Sequence, residues 1–144
     1  MDRIEERIFH QAEFVQNLTW EMLPEEVKER ARWVILDSLG CILKGLGEKQ
    51  LSGNITEDVL DVTAGMVSTE LYEGNKKAIG HPACHILPVM LTDKKNREIP
   101  WKEFIRIFIA AYEVASRFGA AIRFSHTVLG HGTVMSSGAL VAEA

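Results

Sequence analysis

The sequence predicts an all-α protein, a multi-helix bundle-like domain, and three observations carry that expectation. Apolar side chains recur at three- and four-residue steps along most of the chain. No stretch keeps the two-residue alternation of a half-buried strand. Pro24, Pro82 and Pro100 each stand just ahead of an apolar-periodic segment, where proline suits the first helical position because its missing N–H would have no partner there.

From the N-terminus, Arg3 to Leu18 carries Ile4, Ile8, Ala12 and Val15 at helical spacing, with Glu5, Glu6, Gln11 and Gln16 between them. Pro24, followed by Glu25 and Glu26, opens a second helix whose acids complement the dipole at its start. That helix is expected to reach Lys44, with Gly45 and Gly47 as stop signals. Its stripe of Val27, Ala31, Val34, Ser38 and Cys41 is small enough for another helix to come close, and Asp37 at such a contact would need hydrogen-bond partners. After a polar loop from Gly45 to Asn54, Asn54 or Thr56 caps a third helix, with Val59, Leu60, Ala64 and Val67 on one stripe and an end near Leu71. Glu73 to Lys77 reads as a turn leading to His81-Pro82, and Ile86, Leu87, Met90 and Leu91 then form a stripe that Pro88 is expected to kink. Pro100 opens the most regular helix, with Trp101, Phe104, Ile105, Phe108, Tyr112, Ala115 and Gly119 on its apolar face. His131-Gly132-Thr133 leads into a last helix through Ser136, Ser137 and Gly138. The sequence stops at Ala144 within a helix-favouring run that has no glycine cap, so further structure is expected to follow in a complete protein.

Composition narrows the function. The 144 residues, 47% hydrophobic and 25% charged, fit one soluble globular domain. Sixteen basic against twenty acidic side chains give a formal charge of -4 without a long block of either sign, which gives nucleic acid or a membrane surface no electrostatic support as a partner. Cys41 and Cys84 lack CxxC spacing and follow no secretory signal, so they read as reduced thiols of a cytoplasmic protein. No apolar run approaches the roughly 20 residues of a membrane-spanning helix.

Chemistry concentrates at two histidines. His81 precedes a proline and His131 precedes Gly132 and Thr133, which puts each imidazole at the expected N-terminal edge of a helix, where amides and the dipole favour an anion. The plainer readings are a loop residue for His81 and a capping turn for His131. Glu70 and Glu73 precede His81 and offer carboxylates to orient an imidazole or carry protons. Lys76 and Lys77 offer charge to a carboxylate substrate, or are a surface pair. His81, Cys84 and His85 invite a metal reading, but the glutamate of HExxH and a second ligand pair are missing, so no metal is expected. Neither a phosphate-binding glycine loop nor a GxSxG elbow occurs, and Cys84 reads as a small buried thiol.

Four segments together resemble the MmgE/PrpD family, which includes 2-methylcitrate dehydratases and cis-aconitate decarboxylases. They are Leu36 to Cys41 with Gly45; Glu70 to Lys76 running to Gly80-His81-Pro82 with Pro88; Ala111 to Val114 with Arg117 and Gly119; and His131-Gly132-Thr133 with Gly138-Ala139. The resemblance extends over most of the chain from Leu23 onward. It implies that residues 1–144 are part of the N-terminal helical domain of a cofactor-independent, usually homodimeric lyase acting on small polycarboxylates. On it, His81 and His131 are the acid-base residues, Glu70 and Glu73 assist them, and Lys76 and Thr133 with helix N-terminal amides hold substrate. Tyr72 stands where the family commonly has a second acid, and Lys76 where relatives often have arginine. Family members are longer, so the remaining helices, a second smaller domain and a further active-site lysine lie outside this chain, which alone is expected to be inactive.

The competing expectation is a non-catalytic helical binding or assembly subunit, one half of a split enzyme. Its small helix stripes and the absent helices would then favour self-association or a companion subunit.

Overall fold

The computed structural model describes residues 3–48, 59–69, 73–78, 80–93, 98–122 and 137–142. Among them the architecture is all-helical. In chain order come α1 (Arg3–Asn17), a 3₁₀ turn (Trp20–Met22), α2 (Glu25–Glu48), α3 (Val59–Ser68), α4 (Ala83–Thr92) and α5 (Trp101–Ala121). A short helical segment follows at 137–142.

The helices bury one contiguous core. Ile105, Phe108 and Ala111 of α5 meet Ile86, Leu87 and Met90 of α4, Val62 and Met66 of α3, and Ile35 and Ile42 of α2. α2 makes its broadest contact with α3 and also touches α4 and α5, while α5 touches α1, α2 and α4. Phe108 is essentially inaccessible, and truncation there would remove about 3–5 kcal/mol by loss of transfer energy and opening of a cavity.

Most starts follow the sequence signals. Pro24 opens α2, its carbonyl accepting from the N–H groups of Val27 and Lys28. Pro100 does the same for α5, accepting from Glu103 and Phe104. Pro88 lies inside α4 and is buried.

Other expectations are corrected. Gly45 and Gly47 do not stop α2, which continues to Glu48 because the helix is held by tertiary packing: Cys41, Ile42 and Leu46 all join the core. The buried face of α2 includes Ile35 and Ile42, which the small stripe omitted, while Val27 is exposed. Asp37 is exposed, not pressed into a helix contact. In α3 the buried pair is Val62 and Met66, whereas Ala64 and Val67 face outward, a rotation of the expected stripe.

Two glycines mark close backbone approaches. A Cβ at Gly119 would stand 2.6 Å from the carbonyl oxygen of Ala78, and one at Gly138 would stand 2.8 Å from that of Ala111. The first lets the 73–78 loop lie against α5, and the second lets the 137–142 segment dock on α5 beside Ile86.

Arg106 ties α1 to α5. Its guanidinium forks onto Glu103 and donates to the Leu18 carbonyl oxygen at 3.1 Å, satisfying a backbone acceptor beyond the end of α1. Between the 3₁₀ turn and α2, Lys28 sits 4.7 Å over the Trp20 ring and 3.5 Å from Glu25, which lets a lysine be largely buried.

Candidate functional site

The loop 73–81 is built by local hydrogen bonding. Asn75 and Gly80 exchange backbone bonds at 2.7 and 3.3 Å as an isolated antiparallel bridge. Within that bridge the Asn75 carboxamide oxygen accepts from the N–H groups of Lys77 and Ala78, closing the turn by the mechanism for which asparagine is favoured in turns.

One face of α5 fixes the loop in place. Tyr112 donates its hydroxyl to Glu73 Oε2 at 3.0 Å, Asn75 Nδ2 donates to Ser116 Oγ at 3.0 Å, and Gly119 admits the Ala78 backbone. Positions 112, 116 and 119 recur at four and three residues, so they lie along one stripe of the helix and hold loop positions 73, 75 and 78 in order.

Glu73 is the centre of the arrangement. Its Oε1 accepts from the Ala83 N–H at 2.6 Å, at the first turn of α4, while Oε2 takes the Tyr112 bond. Burial pushes its carboxyl above the ordinary glutamate value, although the Ala83 amide, the Tyr112 hydroxyl and the nearby His81 favour the charged form; Asp37 adds a smaller upward push. The phenol of Tyr112 is likewise pushed up, by burial first and then by the Glu73 charge. Cys84, buried beside Glu73, has its thiol pushed up to about 12, and its Sγ donates to the His81 carbonyl oxygen at 3.0 Å.

His81 differs from its expected setting. Its Nδ1 lies 2.5 Å from the Glu73 carbonyl oxygen, and since that oxygen only accepts, Nδ1 carries the proton and the basic lone pair of the neutral ring is on Nε2. The imidazole is therefore turned onto the loop. The leading amide of α4 is taken as well: Ala83 N–H goes to Glu73, and the Cys84 N–H bonds the His81 carbonyl oxygen at 3.3 Å. A protein carboxylate thus occupies the anion-favouring helix edge that the sequence reading assigned to substrate.

Beside this cluster is a cleft of about 970 Å³ between α2, the 73–77 loop and α5. Glu73 and Tyr112 line it together with the cations Arg30, Lys76 and Lys77 and the acids Glu26, Asp37 and Glu113; the floor is apolar, from Ala31, Val34, Phe108 and Ile109. His81 is not on its wall. Tyr112, Asn75 and Arg30 are site residues that sequence reasoning missed. Tyr112 looked like a core position on the α5 stripe and Asn75 like an ordinary turn residue, and nothing in the sequence singled out Arg30.

Of the expected site residues, the structure brings Glu73 and His81 together and puts Lys76 on the cleft. Glu70, His131 and Thr133 lie outside the described residues. Among the described residues no group of three or more histidine, cysteine or acidic side chains is placed to hold a metal, and no helix is long and apolar enough to cross a membrane.

No family model, curated protein or solved structure matches the chain.

Proposed function

We propose that this chain is part of the helical domain of a MmgE/PrpD-type lyase, which dehydrates or decarboxylates a small di- or tricarboxylate such as 2-methylcitrate or cis-aconitate by histidine acid-base chemistry in the cytoplasm. One observation carries the reading: a carboxyl group, Glu73, held between an amide and a phenol at the wall of a large cleft, with an imidazole of fixed tautomer bonded to the same residue.

Such a lyase must move a proton at the carbon next to a carboxylate and supply one to the departing hydroxyl or to the carbanion left by carbon dioxide. A carboxyl raised by burial retains its proton closer to neutrality than a solvated one and is suited to the donor step. The accepting step falls to His81 and His131 on the sequence resemblance; His81 is off the cleft wall and meets it only through Glu73, whose carbonyl oxygen its Nδ1 bonds. Arg30, Lys76 and Lys77 are the cations on the cleft that would pair with substrate carboxylates, at the end away from the lining acids Glu26, Asp37 and Glu113 or in competition with them. Glu70 and Thr133 keep their assisting roles from the resemblance.

The test is a titration of the whole chain with cis-aconitate and with 2-methylcitrate, followed by amide chemical shifts. Saturable changes along 26–37, 73–77 and 109–113, weakened by Lys76→Ala and Arg30→Gln, are expected. A chain that folds normally and shows no change at the cleft would overturn the reading. In the complete enzyme, His131→Ala should lower turnover heavily without unfolding the protein.

A second reading is supported by α2. Trp33, Leu36 and Leu43 are each about 60% exposed and, with Gly40 and Gly47, follow one another at three- and four-residue steps. That apolar stripe suits a non-catalytic assembly subunit, whose mass would rise with concentration in sedimentation while the cleft stays silent to polycarboxylates.

A further inference from the structure

A second concave site lies between α1 and α5, and it shares no lining residue with the cleft. Arg7, His10, Gln11 and Phe14 are at i, i+3, i+4 and i+7 and so form one face of α1; opposite them stands Arg117 of α5. Together they enclose about 270 Å³. Every polar residue on that wall is a cation, an imidazole or an amide, and no carboxylate is among the lining residues.

The groups are arranged for an oxyanion. Arg117 is held from behind: its Nε bonds Glu113 Oε1 at 2.8 Å, and its guanidinium lies 5.8 Å from the Phe14 ring centroid. Arg7 has no carboxylate three or four residues away on its own helix. Gln11 Oε1 is buried without a hydrogen-bond partner. The two ends of a carboxamide are exchanged by a simple flip, so either end of Gln11 can be the donor.

The donors also discriminate between anions. A carboxylate presents two coplanar oxygens and is best matched by the two-pronged edge of one arginine. Here the Nε edge of Arg117 is already engaged by Glu113, and the remaining donors approach from two helices on opposite sides. Single bonds from several directions suit the separate oxygens of a tetrahedral group.

We propose that the α1–α5 groove is a binding site for a phosphate group, carried as orthophosphate or as a phosphate monoester. Its ligand is held by Arg7 and Arg117, with His10 and Gln11 donating, while Phe14 forms an apolar wall for any ester substituent. The site is independent of the lyase reading.

The test titrates the whole chain with orthophosphate, phenyl phosphate and acetate at constant ionic strength, monitored by amide shifts. Saturable change centred on residues 7–14 and 117 is expected for the phosphates and not for acetate. Arg7→Gln, an exposed position, should weaken it roughly tenfold with the fold unchanged, and Arg117→Gln similarly. Tighter binding of phenyl phosphate identifies a monoester as the ligand, and equal or tighter binding of orthophosphate identifies the free ion. Equal response to acetate, non-saturating shifts spread over the surface, or full affinity in a folded Arg7→Gln chain would each overturn the proposal.

Discussion

Tyr112→Phe isolates what one hydroxyl does for Glu73. The substitution keeps the ring, its contact with Phe108 at 5.8 Å between centroids and its place on α5, and removes only the donor 3.0 Å from Glu73 Oε2. A hydrogen bond to a charged acceptor contributes about 1.5–3 kcal/mol, and the part-exposed setting brings this to about 1–2 kcal/mol. Since about 1.4 kcal/mol is a factor of ten, the Glu73 carboxyl should hold its proton roughly tenfold more firmly in the variant. The sign follows from linkage. The folded-state value is already raised by burial, so the contribution of Glu73 to stability is fully present below the ordinary value of 4.5 and is lost as pH rises through the folded value. Removing the donor enlarges that loss and moves it to higher pH. Urea unfolding at pH 7 should therefore show the variant less stable by about 1–2 kcal/mol, with a smaller deficit at pH 4, where the bond is between neutral groups. Carboxyl carbon shifts of Glu73 should show its titration moved upward. An equal deficit at both pH values, or a titration moved downward, would refute the role given to Tyr112.

Further outcomes follow from the same geometry. Glu73→Gln preserves an acceptor for the Ala83 amide and abolishes the buried charge, so thermal unfolding should show a gain in stability at pH 7 that closes as pH falls below 4.5. Gly119→Ala forces a Cβ to within 2.6 Å of the Ala78 carbonyl oxygen, and chemical denaturation should show a loss of about 1–3 kcal/mol from overpacking. With its thiol pushed from 9.0 to about 12, Cys84 should resist iodoacetamide at pH 8 in the folded chain and react only after denaturation; rapid labelling would contradict the burial beside Glu73.

Helical type was legible in the sequence because it depends on periodicity, a local property. α5 was the clearest case: Phe104, Ile105, Phe108 and Ala115 are buried as the spacing required. The end of α2 was misread because the stop signals Gly45 and Gly47 act locally, whereas the packing of Ile42 and Leu46 that overrides them is tertiary. At the site, the proximity of Glu73 and His81 was legible, since eight residues and a turn separate them. The hydroxyl of Tyr112 was not, because it reaches Glu73 across 39 positions and an aromatic on an amphipathic stripe looks like core. The same limit hid the substitution of Glu73 for an external anion at the start of α4: sequence marks where a helix offers amides, not which acceptor folds back to take them.

The pegs at Tyr112, Ser116 and Gly119 make the acid's position a property of the phase of α5. A residue inserted ahead of Tyr112 would turn all three pegs together, and the loop would have to follow as a unit. One inserted between Tyr112 and Gly119 would swing the pegs about 100° apart, leaving the loop able to keep one end of its track but not both. Transplanting this carboxyl into another helical scaffold therefore means carrying over the loop from Glu73 to Ala78, the Ala83 amide and three positions spanning about two turns of one helix, with their angular order kept.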